Sequence, residues 1–259
     1  GLDIAGLVDY ITDRRHGETS NPLIYEKALP TDRDMSVLVL LDATNSTNEE
    51  IDGGPIFEKE RHLAGQLTAS LDELGDQVAM YGFYSRGKDF VRFLRIKAFD
   101  DAFDTAAKRR LADVQPAGFT RLGAALRHGA HLLATEALTR NMVLVVIGDG
   151  LPYDDGYEGS YARADTRKAI HEAVRSGVGV VGLAIRSSTA PAIHQDIWSE
   201  VPFRVVANSD DVRAHVRSLF TDALGMTRTN GRRRERPATG EHLVPSHVLS
   251  RLRRSNSYV

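Results

Sequence analysis

The chain has 259 residues, no cysteine and a formal net charge of −2, with 33 basic side chains against 35 acidic ones. Without cysteine it forms no disulfide, offers no thiolate nucleophile and builds no zinc–cysteine or cysteine-ligated iron–sulfur site. No apolar run is long enough to cross a bilayer and no secretory pattern opens the chain, so membrane insertion is not expected and a reducing, cytoplasmic setting is.

The chain opens on Gly1 rather than Met, as a fragment or a processed product does, so the missing secretory pattern carries little weight. The near-neutral total hides an asymmetry. From Arg228 to Val259 there are eight arginines against Glu235 and Glu241, or +6, which leaves −8 on the remainder. An acidic body of this kind does not fit a nucleic-acid-binding surface.

Leu2, Ile4, Leu7, Val8 and Ile11 have helical spacing and predict a short amphipathic helix, followed by a connecting arm to residue 34. From Met35 the pattern alternates. Val37–Leu41 reads as a fully buried strand. Phe57–Leu74 reads as a helix stopped by Gly75-Asp76. Val78–Tyr84 and Phe90–Ile96 read as strands joined by a loop short enough for an antiparallel hairpin at the sheet edge. Asp101–Leu111 and a segment from Thr120 to Leu138 read as helices, and Val143–Ile147 as a third buried strand. Then come a helix over Thr166–Ser176, strands over Val178–Ile185 and Phe203–Ala207, and a last helix over Asp210–Leu224.

The order β-α-β-β-α-α-β-α-β-β-α predicts an α/β fold. The sheet is expected to be doubly wound, mostly parallel and six-stranded, with one antiparallel edge strand and helices on both faces. The expected division is 1–34 as helix and arm, 35–225 as the folded domain and 226–259 as a basic, mostly disordered tail. Leu243, Val244, Val248, Leu249 and Leu252 give that tail a second reading, as a short docking peptide.

Three loops share one chemistry. Strand Val37–Leu41 delivers Asp42 into a loop carrying Thr44 and Ser46, the pattern D-x-T-x-S. Gly118-Phe119-Thr120-Arg121 precedes a helix. The strand Val143–Ile147 ends in Gly148-Asp149-Gly150, about 100 residues after Asp42. Oxygen-only ligands at strand carboxyl ends suit a hard cation, and open α/β sheets bind ligands there. Asp42, Thr44, Ser46, Thr120 and Asp149 are therefore the candidate metal ligands, for Mg²⁺ or alternatively Mn²⁺ or Ca²⁺. Few direct carboxylates leave such a cation under-neutralised and open to an acidic side chain from another molecule. The competing reading makes Asp42 and Asp149 helix caps or loop acceptors, and Thr120 a helix cap.

The segments LLDATNST, ELGDQVAMYGFYSRG, RIKAFDDAFD, GFTRLGAALRHG and GDGLPYDDGYEGSYARADTRKAI resemble the C-terminal domain of the NorD and CbbO proteins. These are von Willebrand factor A (VWA) domains with a metal-ion-dependent adhesion site. The resemblance runs from about Met35 to Leu224. It implies a larger protein that partners a hexameric MoxR-class AAA+ ATPase of the NorQ or CbbQ type. It also implies a client enzyme, nitric oxide reductase or Rubisco, that the ATPase matures or remodels. It maps the adhesion site onto the same five residues. Two departures stand out: Thr44 replaces the usual serine, and Gly148 stands where threonine is common, which would remove a supporting hydroxyl.

The expectation is a non-catalytic adaptor. No G-x-x-x-x-G-K-[ST] is present for nucleotide hydrolysis through a P-loop. A magnesium-dependent phosphotransferase with Asp42 as nucleophile would want a carboxylate two residues on, where Thr44 stands. A general adhesion module of the VWA kind is the other alternative. Asp154, Asp155, Glu158 and Asp165 are read either as a solvated loop or as a rim of the metal site. Arg121 is a partner for one of these acids or for a client, and Trp198 is read as a packing residue.

Overall fold

The computed structural model describes residues 35–48, 50–51, 54–185, 191–206 and 218–227. The expected N-terminal helix and arm, the start of the expected last helix (210–217) and the basic tail from 228 onward lie outside the described residues.

Strand β1 (Met35–Asp42) forms the middle of a six-stranded sheet. It pairs in parallel with β4 (Gln77–Ser85) on one side and β6 (Asn141–Ile147) on the other. Outside β4 lies β5 (Val91–Lys97), the antiparallel edge, and outside β6 lie β7 (Val178–Ile185) and β8 (Phe203–Val206), both parallel. A small separate hairpin, β2 (Glu50–Ile51) with β3 (Gly54–Pro55), follows β1.

Both faces of β1 are covered, which is why its sequence is continuously apolar. Val37, Val39 and Leu41 face helix α1 (Ile56–Glu73), Leu111 of helix α2 (Thr105–Ala112) and the closing helix α6 (218–227). Leu38 and Leu40 face α3 (Leu122–Glu136), α4 (Gly159–Arg175) and α5 (Pro191–Trp198). The edge strand β5 exposes Arg92 and Arg95, charges that blunt pairing with another sheet. Its last residue, Lys97, is buried; its Nζ donates to the Val78 carbonyl at 2.7 Å and lies 3.3 Å from Asp72.

The expected architecture is the observed one, with local differences. Helix α4 begins at Gly159 rather than Thr166, because its first turns carry polar side chains and only Ala162 among them is buried. Helix α5 was not anticipated: eight residues are too few for a clear period. It supplies the crossover that two parallel strands need, where the sequence suggested β7 and β8 back to back.

The chain lays β4 and β5 on one side of β1, then returns to lay β6, β7 and β8 on the other. The carboxyl ends of β1 and β6 therefore flank the topological switch point. Trp198, at the end of α5, braces this region. It is buried, its ring stacks on Phe203 at 5.2 Å between centroids, and its Nε1 donates to the Gly150 carbonyl at 3.3 Å. Trp198→Ala is expected to cost about 3–5 kcal/mol, measured by urea unfolding, as the usual penalty for removing a buried large aromatic.

Candidate functional site

Asp42 is the last residue of β1 and is buried. The chain then turns through Ala43 and Thr44 into a single 3₁₀ turn, Asn45–Asn48, which Thr47 closes by donating its hydroxyl to the Thr44 carbonyl at 2.7 Å. This loop is stitched to its neighbours through backbone. The Ala43 amide donates to the Phe83 carbonyl at 3.0 Å, the Ala117 amide to the Ala43 carbonyl at 2.9 Å, and the Asn45 amide to the Gly118 carbonyl at 3.3 Å.

The second loop threads between the end of β4 and the third loop. Phe119 exchanges two backbone hydrogen bonds with Ser85, and Thr120 exchanges two with Tyr153. Gly118 has φ +61°, and a Cβ there would stand 2.3 Å from the Ser85 carbonyl oxygen, so this approach needs glycine.

Three hydroxyls meet between these loops. Thr120 Oγ1 donates to Thr44 Oγ1 at 2.9 Å, and Thr44 Oγ1 lies 3.0 Å from Ser46 Oγ. Thr44 and Thr120 are buried while Ser46 is exposed, so the chain of oxygens runs from the interior to solvent. Thr120 does not cap α3: the N-cap residue is Arg121, and no side chain caps it. Asp149 does act as a loop acceptor, taking the Leu151 amide on Oδ1 at 2.8 Å, while its carbonyl lies 2.9 Å from His194 Nε2.

Asp42 carries an electrostatic burden. Burial first, then the negative charge of Asp149, push its carboxyl well above the usual range, and hydrogen bonds from Thr44 and Thr120 offset this only in part. Its Oδ1 has no hydrogen-bond partner among the described residues. A buried orphan oxygen beside a second carboxylate is a local deficit of positive charge. Two carboxylates and three hydroxyls form an all-oxygen donor set of the hard-cation type, so the chemistry of these five side chains fits a divalent ion. Among the described residues, no three His, Asp or Glu side chains are grouped so as to hold an ion between them, so the hydroxyls and water would complete any shell.

Gly148 packs against Asp42. A Cβ at this position would lie 2.4 Å from Asp42 Cβ. Besides supplying no hydroxyl, glycine here makes room for the Asp42 side chain just beyond the end of β6.

Sequence reading placed the acids after the third loop either in solvent or on the rim, and the structure divides them. Asp154 is buried, accepts the Gly87 amide at 2.8 Å and pairs with Arg121 Nε at 3.0 Å. The Arg121 guanidinium also stacks 4.6 Å from the Tyr157 ring centroid. Asp165 pairs with Arg127 at 2.8 Å and accepts the Tyr157 hydroxyl at 2.7 Å, while Asp155 and Glu158 are exposed. Arg121 and Asp154 thus clamp the second loop to the third.

Two features went unread in the sequence. Phe119 and Tyr153 are exposed and lie edge to face at 5.8 Å, one beside Thr120 in the chain and the other paired with it. Glu60, on α1, is fully buried. Its place on the helix stripe with Ile56, Phe57, Leu63 and Ala64 was the available signal.

A doubly wound sheet with three oxygen-bearing loops at its switch point defines a class. The chain belongs to the von Willebrand factor type A domain family, whose profile matches residues 36–222. Among individual relatives it is similar to Protein NorD of Brucella suis, 31% identical over 185 residues, covering 71% of this chain and 29% of that protein. It is equally similar to Protein NorD of Stutzerimonas stutzeri, 31% identical over 182 residues, covering 68% and 29%. The chain thus spans about three tenths of the length of the curated relatives it matches.

Solved structures support the fold. An aerotolerance-related membrane protein from Bacteroides fragilis aligns with TM-score 0.55 and 20% identity over 72% of this chain and 98% of that one. BatB from Bacteroides thetaiotaomicron aligns with TM-score 0.55 and 18% identity over 74% and 99%. Among the described residues no helix is long and apolar enough to cross a membrane.

Two substitutions test this geometry. Gly148→Thr is expected to destabilise the chain by about 1–3 kcal/mol through overpacking against Asp42. Thermal unfolding measures the loss. Asp154→Asn leaves Arg121 half-buried without its counter-charge and is expected to cost about 3 kcal/mol. Burial works against the Asp154 charge, but hydrogen bonds from the Gly87 amide, Ser85 and Arg121 outweigh it and hold the carboxyl below its usual range. Its contribution is therefore complete above the unfolded value near pH ~4 and is lost as pH falls through the lower folded value. Acid unfolding of Asp154→Asn should be correspondingly shallower.

Proposed function

We propose that this chain is the non-catalytic docking domain of an adaptor. A divalent cation, Mg²⁺ or in its place Mn²⁺ or Ca²⁺, is held by Asp42, Thr44, Ser46, Thr120 and Asp149. The bound ion supplies positive charge that recruits a carboxylate from a partner. The observation that carries this reading is the buried Asp42 carboxylate, orphaned at Oδ1, beside Asp149 and a line of hydroxyls leading to solvent. The side chains of the site do the rest. Thr44 and Thr120 keep the oxygens convergent, and Ser46 stands at the mouth. The exposed rings of Phe119 and Tyr153 offer apolar contact to the segment that brings the acid.

The similarity to NorD proteins supports the particular setting: a MoxR-class AAA+ ATPase of the NorQ or CbbQ type drives maturation or remodelling of a client, nitric oxide reductase or Rubisco. In this setting the domain binds and does no bond chemistry. Thr44 stands where a phosphotransferase would keep its acid.

The test is a pull-down from lysate of the source organism with the tagged chain. Samples with Mg²⁺, with EDTA and with Asp42→Ala are compared, and captured proteins are identified by mass spectrometry. A MoxR-class ATPase or one of the two enzymes recovered at least ten-fold better with metal and intact Asp42 is the expected result. Equal recovery in all three samples would remove the cation from the docking mechanism.

A further inference from the structure

Glu60 has no explanation in the scaffold. It is a carboxylate with no solvent exposure, and neither Oε1 nor Oε2 has a hydrogen-bond partner among the described residues. Native proteins avoid this arrangement, because an ionised carboxylate without partners costs several kcal/mol to bury. It is also a specific placement. Glu60 lies in the second turn of α1, the helix that packs against the 3₁₀ turn carrying Ser46. The charges it feels are those of Asp42 and Asp149, and after burial these two push its carboxyl well above the usual range. Three orphan oxygens, two on Glu60 and Oδ1 of Asp42, therefore belong to one electrostatic neighbourhood.

We infer that Glu60 is a third acidic group of the cation site, acting on the ion through water from behind the Asp42 loop. This rests on the cation reading proposed above. Direct ligation does not suit the geometry, since no three acidic or histidine side chains are grouped so as to hold an ion among the described residues. Mg²⁺ and Mn²⁺ keep several waters in such sites. A coordinated water is a polarised donor, and a buried carboxylate with two empty acceptors is its natural partner. One hydrated ion would then satisfy Asp42 and Glu60 together. Glu60 is a positioning residue: it orients the ion's water and adds charge that holds the ion before any partner carboxylate arrives. The isolated chain should accordingly bind the cation by itself.

The experiment is calorimetric titration of the chain with MnCl₂, for wild type, Glu60→Gln and Asp42→Ala, with unfolding temperatures in EDTA and in Mn²⁺. Glutamine keeps the shape and removes the charge. The expected result is measurable partner-free binding by wild type, about ten-fold weaker binding by Glu60→Gln, and none by Asp42→Ala. The unfolding temperature of Glu60→Gln in EDTA should equal or exceed that of wild type while its Mn²⁺-induced rise shrinks. A purely structural role would instead lower stability in both conditions. Wild-type affinity in Glu60→Gln, with Asp42→Ala inactive, would overturn the role of Glu60 and leave the cation site standing. No binding by wild type would overturn both.

Discussion

Negative charge buried at the carboxyl end of the central strand is the constraint on which the rest of this molecule depends. β1 is covered on both faces, so its last residue, Asp42, enters the site already inside the protein. Solvent cannot stabilise its charge there, and Asp149 arrives from the neighbouring strand end to make the problem worse. What surrounds the pair answers that problem. Gly148 gives up its side chain so that the strands close around Asp42. Thr44 and Thr120 are buried with their hydroxyls 2.9 Å apart, and they ease the Asp42 charge only in part. A site so short of positive charge fits the cation proposed for it: the cost of assembling the acids is met by the fold.

The scaffold separates what must be rigid from what must be met. The three loops are tied to one another by backbone hydrogen bonds at 2.7–3.3 Å, so the candidate ligand oxygens do not depend on loop flexibility for their positions. The Arg121–Asp154 pair works in the same direction. It links the second loop to the third beside the site, and the Tyr157 ring shields the guanidinium. Outside this clamp the surface changes character, with Phe119 and Tyr153 presenting rings to solvent. Rigid acids inside and exposed aromatics at the mouth form the division expected of a surface that recognises a partner by one anchoring group and a little apolar contact.

Much of this was legible in the sequence for physical reasons. Buried parallel strands must be continuously apolar, so Val37–Leu41 and Val143–Ile147 announced themselves, and an aspartate follows each, Asp42 directly and Asp149 after Gly148. The hydroxyls followed at fixed spacing. Less legible were features that depend on what lies opposite. Gly148 reads as a departure from a family pattern until Asp42 is seen against it. Arg121 and Asp154 are far apart in the chain, and their pairing is tertiary. Helix α5 is too short for a period. Glu60 was hidden by its neighbours: in Glu58-Lys59-Glu60-Arg61 it looks like part of a solvated charge run. Only the i, i+3, i+4 stripe through Ile56, Leu63 and Ala64 reveals that one of the four turns inward.

A third acid behind the site changes what docking through a cation means. With an ion bound as proposed, Asp42, Asp149 and Glu60 would share the task of offsetting its charge. On the proposed reading, recruitment of a partner carboxylate then rests on the direct bond to the ion more than on long-range attraction. Further affinity must come from elsewhere on the partner, and the exposed rings beside Thr120 are where the surface offers it. Such a contact combines a directional ligand bond with modest apolar burial. It is specific without being tight, because each part alone is weak. That suits the proposed adaptor, whose partner must be engaged and released, and it would give the acids two separate tasks: Asp42 and Asp149 to meet the ion, and Glu60 to set how far the ion still needs a partner.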